Sequence, residues 1–175
     1  MSFSIVRPFR QSDSSGRRRP GRCAINVEPM EARALLTSAA VTSAIASVQQ
    51  AEVFVQQEIN MEIATLRSNI VAIEHATSAF IASHKSESNL AIRDEKFAIG
   101  QQLFLISVLD QTEGQYKATL NAGISGLKSG RLDPRTVPSI LTTGEDNLKS
   151  EISTIGSTAT FELSGLTGTF AAGRA

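Results

Sequence analysis

Tryptophan is absent from the chain, tyrosine and cysteine occur once each, and aromatic residues fill only 5% of its 175 positions. The lone Cys23 excludes an intrachain disulfide and any zinc site built from several cysteines. Stability must therefore come from aliphatic packing, and a hydrophobic content of 41% suffices for one modest core. No strongly apolar stretch reaches the roughly 18 residues that a membrane-spanning helix needs. Asn-x-Ser/Thr glycosylation acceptors are also missing. So are the Gly-x-Ser-x-Gly elbow, the Gly-x-Gly-x-x-Gly turn, the phosphate loop and the His-Glu-x-x-His helix. The only histidines, His75 and His84, fall about 180° apart on a helical wheel and cannot share a metal ion on one helix. They are expected on the solvated helix surface. The carboxylates Glu58 and Glu62 share a helical face, whose simplest reading is a solvated acidic surface. These features predict no catalytic, cofactor or metal residues, and a protein that is not an enzyme.

Charge is balanced in total, with 17 basic and 17 acidic side chains, but not in distribution. Residues 1–46 hold Arg7, Arg10, Arg17, Arg18, Arg19, Arg22 and Arg33 against Asp13, Glu28 and Glu31, a net of +4 that leaves −4 for the rest. A basic segment ahead of a mildly acidic body suits either a translocation machine or a polyanion. Nucleic acid is the poorer fit, because Phe3 and Phe9 are not interleaved with the arginine cluster as base-stacking aromatics would be. Residues 34–51 carry no charge, and within them the weakly apolar first part ends at Ala44-Ile45-Ala46, the small-x-small pattern of a signal-peptidase site. Basic, weakly apolar and small residues thus occur in the order of an export leader. Cleavage is expected near Ala46.

Residues 30–37, Met-Glu-Ala-Arg-Ala-Leu-Leu-Thr, sharpen that expectation. They resemble the N-terminal sorting segment of planctomycete secreted and surface proteins, in which an arginine-rich stretch leads into Leu-Glu-x-Arg-x-Leu-Leu-Ser. The match falls on Glu31, Arg33, Leu35 and Leu36, with Met30 in place of Leu and Thr37 in place of Ser. The resemblance implies handling by export machinery and an extracellular or cell-surface location outside a bacterial cell. It covers the leader alone.

Beyond the leader the pattern is helical. Ser47-Val48-Gln49-Gln50 has the form of a capping box and predicts a helix start. A near-heptad stripe then runs through Val55, Ile59, Ile63, Leu66, Ile70, Ile73, Thr77 and Phe80, with no Pro or Gly between residues 47 and 84. The polar cluster at residues 84–89 predicts a reversal. A second long helix is expected with an apolar face of Leu90, Phe97, Phe104, Leu105, Val108, Leu109, Tyr116, Leu120, Ile124 and Leu127, braced by Glu113 and Lys117. Within it, Gly100 and Gly114 mark sites of close packing or a bend. Gly123, Gly126, Gly130, Asp133-Pro134 and Val137-Pro138 predict the second turn. A shorter helix is expected over residues 139–155, with Glu145 and Lys149 paired. The Ser/Thr/Gly-rich residues 156–175 read as a tail that Phe161 and Phe170 anchor, or as a short extended piece at Phe161-Glu162-Leu163.

The expected architecture is all-α: an antiparallel pair of long helices with a shorter third and a disordered basic leader. Its divisions are a leader at residues 1–46, a helical domain at 47–155 and a tail at 156–175. The expected function is self-association or binding of an envelope protein partner. The alternative is an intracellular coiled-coil adaptor or regulator whose basic tail contacts nucleic acid or an acidic partner.

Overall fold

The computed structural model describes residues 28–173, with side chains from Thr37 onward. Cys23 and residues 1–27 of the expected basic leader lie outside the described residues. Three helices run up, down and up: α1 (Glu28–Ser83), α2 (Ser88–Lys128) and α3 (Val137–Ala171). At about 1.5 Å per residue, α1 is roughly 84 Å long, α2 roughly 62 Å and α3 roughly 52 Å. Among the described residues no strand occurs.

The stripe foreseen on α1 forms the core. Val55, Ile59, Ile63, Leu66, Ile73, Thr77 and Phe80 are all buried. The central cluster joins Val55, Ile59, Ile63 and Leu66 to Leu109 of α2 and to Leu148 and Ala159 of α3. A second cluster at one end packs Ala44 and Val48 on Leu127 and Val137. A third at the other end packs Phe80 on Ala91 and Phe170. The seam of α1 is therefore covered by helices of the same chain.

Both turns follow from local chemistry. Gly130 adopts φ +70 just after α2, where an L side chain would be strained, and the amides of Arg131 and Gly130 reach back to the carbonyls of Gly126 and Leu127. Asp133 then caps the 3₁₀ turn Pro134–Thr136 by accepting from the Arg135 amide at 2.9 Å, and Pro134 occupies a first-turn position that needs no donor. The other turn spans His84 and the 3₁₀ segment Lys85–Glu87.

Four expectations about helix extent and packing need correction. Residues 28–46 are helical and continuous with the body; α1 crosses residue 46 without a break, and the Ser47 hydroxyl donates to the Ser43 carbonyl inside the helix instead of capping a start. Helix α3 runs through residues 156–171, so there is no extended piece at Phe161-Glu162-Leu163. Helical backbone there coexists with many hydroxyls: Ser157, Thr158, Thr160, Thr167 and Thr169 each bond a carbonyl one turn earlier. A Cβ placed at Gly100 or Gly114 would meet nothing within 4 Å, so neither glycine serves close packing. Lys149 lies 5.2 Å over the Phe54 ring, a cation–π contact, in place of the expected pair with Glu145. The Glu113–Lys117 pair does form, at 2.6 Å.

Candidate interaction groove between the second and third helices

Helix α1 packs along both neighbours, whereas α2 and α3 meet each other much less. Their junction is bridged by one buried polar side chain. Gln102, fully buried on α2, donates to the Ala159 carbonyl of α3 at 3.4 Å and accepts from the Asn69 amide of α1 at 3.4 Å. One glutamine thus ties all three helices at a single level. Above and below it the α2–α3 side opens into a groove.

Two hollows mark that groove. One, of about 270 Å³, is lined by Asp94, Phe97, Ala98 and Gln101 on α2 and by Glu162, Gly165, Leu166 and Thr169 on α3. The other, of about 440 Å³, lies between Val108, Thr112 and Gln115 on α2 and Ser150, Glu151, Thr154 and Ile155 on α3. From Asp94 to Gln115 the α2 wall is about 32 Å long.

Phenylalanines stand unburied along this groove. Phe97 is 70% exposed and Phe104 is 62% exposed. Seven residues apart, they sit nearly above one another on α2, and both line a shallow depression with Gly100 and Gln101. Phe161 on α3 is 78% exposed and shares a helix face with Gly165, which lines the smaller hollow. Full burial of a phenylalanine contributes about 1.5–3 kcal/mol. Single exposed apolar residues are ordinary, but Phe97 and Phe104 adjoin on α2, and Phe97 continues into the hollow shared with α3.

The inward face of α2 differs from the expected one for the same reason. Ala91, Ala98 and Gln102 are buried with Leu109 and Leu127, while Leu90, Phe97 and Phe104 are exposed. Alanines let α2 approach α1 closely, which turns the larger side chains one position over, toward solvent. Hydrophobicity alone reads these phenylalanines as core, and the small-residue stripe beside them was the signal against it.

The groove is acidic. Glu162 Oε2 is closed off from solvent and has no hydrogen-bond partner among the described residues. Asp94, in the same hollow, is bridged by the exposed Arg93 at 3.0 Å. Beside the larger hollow, the Tyr116 phenol is pushed above its ordinary range by burial and then by the charge of Glu151. Lys96 lines the shallow depression at the rim.

The remaining sequence candidates lie apart from the groove. Met30, Glu31, Arg33, Leu35 and Leu36 belong to the first turns of α1, and their side chains are outside the described residues. Thr37 is exposed and lines a hollow with Ala40, Asp133, Pro134 and Arg135. His75 is exposed, as expected. His84 is not free on the surface: its ring stacks on Phe80 with centroids 4.4 Å apart. Glu62 also departs from a solvated acidic face. Its Oε1 is buried beside Gly156 without a hydrogen-bond partner among the described residues, and burial raises its pKa. Among the described residues, no three His, Cys, Asp or Glu side chains gather as metal ligands, and no helix is long and apolar enough to cross a membrane.

No family model matches this chain, and no curated protein or solved structure resembles it significantly. The groove must be read from its own chemistry.

Proposed function

We propose that the protein is exported to the exterior or surface of a bacterial cell and acts there by protein association through the α2–α3 groove, without catalysis. The observation that carries the association reading is the exposure of Phe97, which lines the smaller hollow, together with that of Phe104 and Phe161 on the two helices that wall it. Such a patch is what a protein interface covers. The export reading rests on the basic, weakly apolar and small-residue order of residues 1–46 and on the sorting-segment resemblance at residues 30–37.

A retained N-terminus, as in an intracellular adaptor, is the second reading, and one observation favours it. Ala44 packs with Val48 on Leu127 and Val137, so cleavage near Ala46 removes a piece of the folded core. Fractionation of the native type of host, followed by mass spectrometry of the mature N-terminus, separates the two. Recovery outside the cytoplasm supports export; an intact chain confined to the cytosol overturns it in favour of the adaptor.

A further inference from the structure

We propose that the α2–α3 groove seats a cationic amphipathic helix of an unlike protein partner, whose apolar face covers Phe97, Phe104 and Phe161 and whose Lys or Arg side chains pair with Glu162 and Glu151. The inference rests on the association reading above and names the class of partner.

Shape is the first argument. An open groove about 32 Å long between two antiparallel helices accommodates about six turns of a further helix. Such a helix would complete a four-helix arrangement in which α1 already covers the opposite side. An extended strand would fit poorly, since among the described residues no sheet edge is present to pair with it. The aromatic spacing agrees, because Phe97 and Phe104 are two turns apart and match apolar residues repeating every three to four positions on an occupant.

Charge selects among occupants. The titratable residues lining the two hollows are Asp94, Glu151 and Glu162, all acidic. Asp94 has Arg93 as its partner, but Glu162 Oε2 is shut off from solvent with none among the described residues. A carboxylate oxygen shut off from solvent favours a donor or cation that can meet it. An incoming Lys or Arg would meet it at the point where the groove already excludes water. A second copy of the groove is a worse occupant, because two-fold pairing would set these carboxylates against each other.

The test uses the full chain and a fluorescein-labelled 21-residue Leu/Lys helix of 3.6-residue periodicity, with a Leu/Glu helix of the same pattern as control. Fluorescence anisotropy should show saturable binding of the Leu/Lys helix, and binding of the Leu/Glu helix weaker by about tenfold or more. Phe97→Ser with Phe161→Ser, which changes no charge, should weaken the Leu/Lys helix by about tenfold. Glu162→Gln should weaken it also, while Asp110→Asn, an exposed acid that lines neither hollow, should leave it unchanged. Far-ultraviolet circular dichroism confirms that each variant folds. Equal binding of both helices, or binding indifferent to the two serine substitutions, overturns the proposal. Displacement of the bound Leu/Lys helix by a peptide of residues 1–27, at a lower concentration than unlabelled Leu/Lys helix requires, overturns it by making the chain's own segment the better occupant. Sedimentation separates this from failure of the broader reading. Self-association abolished by the serine substitutions keeps the groove as an interface and rejects the unlike partner, whereas no groove-dependent binding of any kind rejects both.

Discussion

A methyl group at Gly156 would stand 2.9 Å from Glu62 Oε1, so the glycine on α3 is what lets the α1 carboxylate fold inward. The neighbour that must yield is the far end of a flexible side chain, which can swing to water, where it is better solvated. Replacing Gly by Ala inside a helix also gains about 1 kcal/mol of propensity. Gly156→Ala should therefore stabilise the protein by up to about 1 kcal/mol, read from the urea midpoint. A large loss of stability would show that Glu62 cannot leave.

The same carboxylate sets a pH dependence. Burial raises the Glu62 pKa above its ordinary 4.5, so over that interval the folded state holds a proton more tightly than the unfolded state. This contribution is fully present at pH values below 4.5 and is lost as pH rises through the raised folded value. Glu62→Gln should remove that downward slope and be more stable than the parent at pH 7. Urea midpoints for both proteins between pH 4 and pH 8 provide the measurement, and parallel curves would contradict it.

Leu66 and Phe104 should respond in opposite ways, although sequence places both on apolar faces. Leu66 is fully buried in the central cluster. Leu66→Ala should cost about 2–5 kcal/mol, and Leu66→Asp should prevent folding. Phe104→Ser should alter stability by no more than about 0.5 kcal/mol while affecting association. Chemical denaturation of the two single variants checks the contrast.

The end of α3 is held by Phe170, whose ring lies 4.8 Å from that of Phe80. Phe170→Ala should cost about 3–5 kcal/mol if the bundle melts as one unit. Amide exchange localises the effect: residues 157–171 should exchange slowly in the parent and faster in the variant. Fast exchange there in the parent would mean that this segment is not a docked helix.

How far the fold could be read from sequence depended on how each residue's apolar surface is used. The stripe from Val55 to Phe80 was legible because nearly every member is large, apolar and buried, and the period is unbroken. Reversal at residues 84–89 and the turn around Gly130 and Asp133-Pro134 were legible because their chemistry is local. The second helix was half legible: Phe97 and Phe104 outweigh Ala91 and Ala98 in hydrophobicity, yet close approach to α1 selects the alanines. The third helix past Ile155 was illegible, since Ser, Thr and Gly have weak helix propensity and only contacts distant in sequence, at Ala159 and Phe170, decide the outcome. The candidate groove was missed as a consequence. Hydrophobicity places Phe97 and Phe104 on the packed face of the second helix, whereas both are exposed.

The length of α1 has a practical effect on any measurement of oligomeric state. A compact chain of this size would have a radius of gyration near ~16 Å, yet one helix alone reaches about 84 Å. The frictional drag of such a rod is that of a much heavier sphere. On a gel-filtration column calibrated with globular standards, a monomer will elute early and pass for a dimer, so subunit number has to come from light scattering or sedimentation equilibrium, in which shape cancels.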